Sequence, residues 1–359
     1  MARKTTRAAQ KTRPGSTRLR WFEVENFKSI KKLRLEFKPF MVFVGPNGAG
    51  KTNLFQALAL ALELEFGEQS IVERHGGFDQ LVRRGARRAP YIRLAIGAEV
   101  DADTYAQRSY ESEIRLTPGT GESFVTVKQS TRITPTLHES HLPPSWAIRL
   151  RLDASALRGD VAGRFLQGDL LGISGEGLPR ALERIHGSPA FRRILVGLKA
   201  VYPRIEHVDT VRLLPGEVAL RFKERGVKDG LGQANVSDGV MHALALLLVL
   251  EASKDDSPLL IEEPENALHP WALRSILERI QHTPRPGPLL LATHSPTVID
   301  AVEDPASLYI VENDDKKGTI VTPALTREKA LRAILAESGQ KLGEVWLGGL
   351  LGGVPEGDA

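Results

Sequence analysis

Short apolar runs alternate with polar punctuation along most of the chain. Leu19 to Phe27 and Lys31 to Phe37 predict two strands joined by a short turn, the second supported by the alternation of Leu33, Leu35 and Phe37. Phe40 to Val44 is an unbroken apolar run and predicts a buried strand. Asn53 to Phe66 (NLFQALALALELEF) is built of helix formers. Residues 67–90, rich in Gly and Arg, read as a loop. Tyr91 to Val100, Tyr110 to Leu116 and Phe124 to Ile133 predict three antiparallel strands, separated by turn residues such as Thr117-Pro118-Gly119. A connector over Thr134 to Trp146 leads to a strand over Ala147 to Asp153. Gly159 to Ala200 is a helical stretch, broken at Gly172–Gly177 and Gly187–Pro189, that reads as an inserted lobe. Val208 to Leu213 and Glu217 to Lys223 suggest a hairpin around Pro215-Gly216. From Ser237 onward helix and strand alternate, as in a parallel α/β sheet. A helix over Arg327 to Glu337 precedes a Gly-rich end. There is no internal repeat and no sustained heptad pattern.

Composition adds limits. With 359 residues, 42% hydrophobic and 26% charged, the chain suits one large or two ordinary domains. Cys is absent, which excludes disulfides and Cys-ligated zinc and suits a reducing cytoplasm. The first twenty residues lack the apolar core of a signal peptide. The longest apolar stretch, Val240 to Leu250, is too short to span a bilayer, so a cytoplasmic protein without membrane contact is expected. The first twenty residues hold seven Lys and Arg and no acid, against +4 for the whole chain, so the body is slightly acidic. Such a basic arm either binds nucleic acid by counterion release or serves as a disordered solubilising tail. Arg83-Arg84 and Arg87-Arg88 form a second basic cluster, read either as a DNA-phosphate contact or as a solvated face.

The chemistry starts at residues 45–52. Gly45-Pro46-Asn47-Gly48-Ala49-Gly50-Lys51-Thr52 matches the phosphate-binding loop G-x-x-x-x-G-K-[ST] at every fixed position. It lies between a predicted strand and a predicted helix that opens at Asn53, as its mechanism requires. The glycines let backbone N–H groups face phosphate oxygens, and the helix N-terminus adds its dipole. Lys51 would reach the β- and γ-phosphates, and Thr52 would bind Mg²⁺.

The second half supplies partners for this loop. Pro258 to Glu263 (PLLIEE) ends an apolar run in two acids, at the strand edge where parallel sheets bind ligands. Glu262 can hold Mg²⁺ through water, and Glu263 can act as general base; otherwise they are solvated acids at a strand end. Leu289 to Thr293 predicts another buried strand, and His294 at its end reads either as a sensor that hydrogen-bonds the γ-phosphate or as a satisfied surface or core histidine. Val236-Ser237-Asp238-Gly239 precedes a helix. Ser237 is a natural N-cap, and with Gly239 and the helix dipole it makes either an anion site or a plain cap.

In this order the segments resemble an ABC-type ATPase head. GPNGAGKT corresponds to Walker A, VSDGV to the signature motif, LLIEEPENALHP to Walker B with the D-loop, and THSP carries the switch histidine. The phrase Glu25-Asn26-Phe27-Lys28-Ser29 is similar to the opening of the RecF, SMC and OLD-like branch. The resemblance implies an α/β head with a mixed sheet around the P-loop, an antiparallel β-subdomain and a helical insertion over residues 159–205. It places the ATPase over residues 19–322, between a basic tail (1–18) and a C-terminal helix with a Gly-rich tail (323–359). It further implies ATP and Mg²⁺ as cofactors and a head-to-head homodimer. Each ATP would lie between Walker A of one copy and Ser237 and Gly239 of the other, with Asn266 and His269 lining the interface.

Some features depart from the family pattern. The signature is VSDGV, not LSGGQ. The first Walker B acid is Glu262 where Asp is commoner, which implies slow hydrolysis. Gln80 is a weak candidate for the Q-loop. No coiled coil splits the chain, and no acidic constellation suggests a fused nuclease. The end LGEVWLGGLLGGVP is similar to that of compact stand-alone bacterial ATPases that work beside a separate nuclease- or toxin-like effector, often in anti-phage defence. Its apolar residues Trp346, Leu347, Leu350 and Leu351 either dock a partner or pack on the chain's own core. A RecF-type repair ATPase and an ATP-dependent scaffold that hardly hydrolyses remain alternatives, while a transporter cassette fits the signature poorly. His138 and His141 have a metal-like spacing without further ligands.

Overall fold

The computed structural model describes residues 17–65, 70–83, 91–101, 107–119, 125–134, 147–159, 170–213, 216–253, 256–285, 287–324 and 341–349. Within them β1 (Thr17–Phe27) and β2 (Ile30–Glu36) form a hairpin, and β3 (Phe40–Val44) runs into α1 (Lys51–Leu64). The Gly/Arg-rich stretch expected to be a loop carries two short helices, α2 (Ser70–Arg74) and α3 (Phe78–Leu81). Each turns one apolar pair inward, Ile71 with Val72 and Phe78 with Leu81, too few residues to show a periodicity. Then follow β4 (Ile92–Asp101), β5 (Gln107–Pro118), β6 (Val125–Thr134), the three-residue β7 (Ile148–Leu150) and α4 (Ala154–Arg158).

The helical stretch contains α5 (Leu178–Ile185) and α6 (Pro189–Val201). A small antiparallel sheet of β8 (Ile205–Arg212), β9 (Val218–Glu224) and β10 (Leu231–Gly232) comes next. The rest alternates: α7 (Asp238–Ala252), β11 (Leu259–Glu262), α8 (Pro270–His282), β12 (Leu289–Thr293), α9 (Pro296–Asp300), β13 (Leu308–Asp314), β14 (Gly318–Pro323) and α10 (Leu342–Leu347).

One eleven-stranded sheet, in the order β6-β5-β4-β1-β2-β14-β13-β3-β12-β11-β7, carries both halves of the chain. β13, β3, β12, β11 and β7 are parallel, and the remainder pairs antiparallel. Because side chains alternate along a strand, β3 sends Met41 and Phe43 to one face and Phe40, Val42 and Val44 to the other. Both faces are buried, so the strand reads as a continuous apolar run. The first face packs on α1, and the second on α5, α6, α7 and α8. α7 is buried on all sides from Gly239 to Leu250, which explains why its sequence shows no polar stripe. The inserted helices share this core: Leu198 and Val201 of α6 belong to the same apolar cluster as Leu244 and Leu248 of α7.

Val345 and Trp346 of α10 are buried in that cluster while Leu347 is exposed, so this part of the C-terminal segment packs on its own core. Leu350, Leu351, His138, His141, the expected helix over 327–337 and residues 1–16 of the basic tail lie outside the described residues.

Candidate active site

The carboxyl-end edge of the parallel strands gathers the expected residues. Gly45 leaves β3 so close to β13 that a Cβ there would overlap the Val311 carbonyl oxygen. At Gly50, φ is +104°, and a Cβ would collide with the Thr319 hydroxyl. These two positions therefore admit only glycine, and the backbone between them forms an open cradle with Asn47 and Gly48 exposed at its tip. Pro46 is half-buried, and its carbonyl accepts the Ala49 N–H at 3.2 Å, closing the turn. Lys51 is buried, its Nζ donating to the carbonyls of Gly45 (2.6 Å) and Pro46 (3.1 Å). Burial lowers its pKa, while Glu263, Glu265 and Glu262 pull it the other way.

The loop is braced from outside. Asn53 Nδ2 donates to Ser29 Oγ at 2.7 Å, and Ser29 Oγ lies 2.7 Å from Thr319 Oγ1. The Asn53 side chain thus points to the β1–β2 turn of the ENFKS phrase. Arg83 follows the same turn, its guanidinium donating to the Ser29 carbonyl, while Arg84, Arg87 and Arg88 lie outside the described residues. Gln80 sits exposed on α3, beside Gly76.

Thr52 and Glu262, 210 residues apart in sequence, meet: Thr52 Oγ1 donates to Glu262 Oε2 at 2.5 Å. A hydroxyl and a carboxylate paired beside a phosphate cradle are the hard oxygen donors that Mg²⁺ with a nucleotide requires, so the residues present fit this cofactor pair. The other oxygen of Glu262 accepts the Arg149 Nε–H at 2.8 Å, with Nη2 in ion-pair contact at 2.7 Å.

Glu263 follows at φ +49°, an uncommon conformation for a non-glycine residue, held by its N–H bond to the Ala292 carbonyl at 2.7 Å. Its Oε2 lies 2.7 Å from His294 Nδ1. This is an ion-pair approach, not an aligned hydrogen bond: Glu263 Oε2 and Glu265 Oε2 are both buried without a hydrogen-bond partner among the described residues. Glu265 Oε1 accepts the Thr293 hydroxyl at 2.6 Å. Burial, then the adjacent Glu263 carboxyl, pushes the Glu265 carboxyl up to about 8. The turn after β11 thus places the raised Glu265 carboxyl beside Glu263 and close to His294.

Ser237 occupies the N-cap position of α7 but its side chain makes no cap bond, contrary to the expected capping. The segment is held instead by Arg158, which pairs with Asp238 (2.6 Å) and donates to the Val236 carbonyl (2.8 Å). The Ser237 side chain is left exposed. Gly239 is needed for packing: a Cβ would meet the Tyr202 hydroxyl at 2.5 Å and the Ala267 carbonyl at 2.8 Å. Among the described residues, no hydrogen bond joins Ser237 or Gly239 to the phosphate loop of the same chain. Asn266, His269 and Trp271 are exposed.

Sequence reasoning missed Glu265, Arg149 and the Ser29–Thr319 brace. Glu265 was visible as a third acid in EEPEN. Arg149 was visible as a charge inside an otherwise apolar strand, Ala147-Ile148-Arg149-Leu150.

The AAA_21 family model, described as "AAA domain, putative AbiEii toxin, Type IV TA system", matches residues 40–300. Structural maintenance of chromosomes protein 1 of Arabidopsis thaliana is 32% identical over 95 residues, 25% of this chain and only 8% of that protein's length. Among solved structures, an Smc head bound to the C-winged helix domain of ScpA aligns with TM-score 0.61 at 17% identity, covering 87% of this chain and 99% of that one. An Smc head domain with an extended coiled coil, bound to the C-terminal domain of ScpA derived from Pyrococcus furiosus, aligns with TM-score 0.56 at 16% identity over 89% and 99%. These structural likenesses establish the fold. Among the described residues, no helix is long and apolar enough to cross a membrane.

Proposed function

Because the chain belongs to this AAA-domain family and has the fold of an ABC-type ATPase head of the RecF/SMC-like branch, we propose that it binds ATP with Mg²⁺ and hydrolyses it between two head-to-head copies. The reading rests chiefly on the 2.5 Å meeting of Thr52 with Glu262, which joins the phosphate loop to the acid strand. Lys51, now on its own loop's carbonyls, would turn to the phosphates. Thr52 and Glu262 would hold the ion, which supplies charge neutralisation at the phosphate oxygens. Glu263 would take the proton of the attacking water, and His294 would hold Glu263 and face the γ-phosphate.

Two observations support the dimer. The loop tip and Ser237 are both exposed, and the Ser237 hydroxyl is not used as a helix cap. Exposed Trp271, beside His269, adds an apolar surface at the expected interface. A gating role for a separate effector in anti-phage defence is supported by the family's toxin–antitoxin description. Binding of ScpA by heads of this fold supports a partner protein in general terms.

The test is phosphate release together with light scattering, with and without ATP and Mg²⁺, on wild type and Glu263→Gln. The Gln variant should bind ATP, release little phosphate and accumulate as a dimer. A variant that stays monomeric with ATP, or turns over as wild type does, would refute the shared-site mechanism. Stimulation of turnover by duplex DNA would favour a repair ATPase over an effector gate.

A further inference from the structure

Arg149 has no place in the chemistry above, yet it is bound at its centre. β7 lies parallel to β11 with Arg149 level with Leu260, so Arg149 and Glu262 project from the same face of the sheet, the face covered by α1. The guanidinium and the carboxylate are 13% and 3% exposed. Arg149 donates Nε–H to Glu262 Oε1 and brings Nη2 into ion-pair contact with the same oxygen, and Thr52 takes Oε2. Both oxygens of the acid expected to serve the metal are therefore taken by the protein. The guanidinium is also hemmed in: Lys28, whose Nζ donates to Gln56 at 2.6 Å, lies close enough that Arg149 helps lower its pKa, after burial. Retreat of Arg149 toward Lys28 would bring like charges together.

We propose that Arg149 is a positioning residue that serves as the built-in counter-cation of Glu262. It holds the carboxylate toward Thr52 in the nucleotide-free protein and repels a bare divalent ion. Metal then enters only together with the nucleotide phosphates, whose negative charge offsets the guanidinium. The inference rests on the Mg²⁺–ATP reading of the site. A merely structural ion pair predicts the opposite sign. Removing Arg149 would then leave a buried carboxylate without the partner that sets its orientation, and metal affinity would fall.

Mn²⁺ binding, followed by electron paramagnetic resonance on the full chain, separates the two. Without nucleotide, Arg149→Gln should bind Mn²⁺ about tenfold or more tighter than wild type, since a unit positive charge beside a divalent ion has been removed. Arg149→Lys keeps the charge and should stay within about twofold of wild type. With ADP present the gap between wild type and Arg149→Gln should narrow. Weaker or unchanged Mn²⁺ binding in Arg149→Gln, or equal tightening in Arg149→Lys, would overturn the proposal. So would tight Mn²⁺ binding by wild type alone, a measurement that needs no variant to fold. Failure of wild type to bind a fluorescent ATP analogue would count instead against the ATPase reading.

Discussion

Glu265→Gln probes the carboxyl pair at the end of β11 without disturbing its shape. Gln keeps an oxygen for the Thr293 hydroxyl, now donated to Glu265 Oε1 at 2.6 Å, and its amide mimics the protonated acid. Burial and Glu263 raise the Glu265 carboxyl from 4.5 to about 8. Folding therefore takes up a proton at intermediate pH. Stability from this group is complete below about pH 4.5 and is lost as pH rises through 8. A rise of about 3.5 units at about 1.4 kcal/mol each sets an upper bound near 5 kcal/mol, before the pocket relaxes or admits water. Gln carries no such penalty. Only Glu265 differs between the two proteins, so the difference in their pH dependence reports on that carboxyl. Urea unfolding of nucleotide-free wild type and Glu265→Gln at pH 5, 7 and 9 measures it. The two should match closely at pH 5, and the Gln variant should be several kcal/mol more stable at pH 9. A difference constant across the three pH values would refute the protonated-carboxyl argument.

Three further changes test other parts of the site. Ser237→Ala should leave thermal stability within about 0.5 kcal/mol of wild type, where a working cap would lose about 1, yet abolish ATP-dependent dimerisation in light scattering. Gly45→Ala drives a Cβ into the Val311 carbonyl; calorimetry should show a loss of about 2 kcal/mol or more, with nucleotide binding gone. Lys51→Ala removes the buried ammonium, so equilibrium binding of a fluorescent ATP analogue should weaken at least tenfold, and the ATP-dependent dimer should disappear with it.

The sequence made the local parts of this structure readable. Phe40 to Val44, GPNGAGKT and the helix after it are contiguous, and each signal is carried by neighbouring residues. PLLIEE and LLLATH were readable for the same reason: strands buried on both faces are unbroken apolar runs. What escaped was non-local or too short. α2 and α3 each bury a single apolar pair, below what a 3.6-residue period can reveal. The short strand β7 was expected, but the orientation of Arg149 toward Glu262 depends on β7 lying beside β11, which no spacing announces. Ser237 is the converse case. Its type and place imply a cap, but Arg158 anchors the segment and leaves the hydroxyl free of that bond. Of the two readings of the C-terminal apolar segment, burial of Trp346 supports packing on the chain's own core, while Leu347 faces outward.

The brace of Ser29 against Asn53 and Thr319 has a consequence for synthesis. Ser29 and Thr319 stand 290 residues apart, and Thr319 donates its N–H to the Ser29 carbonyl at 3.0 Å as well as meeting its hydroxyl. At roughly 5–20 residues per second, a ribosome needs on the order of 15–60 s to travel from one to the other. Throughout that interval the phosphate loop exists as sequence but lacks the strand that sets Gly50 against its neighbour. The loop is made early, and its geometry is completed only once Thr319, 290 residues after Ser29, has been added. A growing chain should therefore gain nucleotide affinity late and abruptly, so that ligand capture reports a finished head.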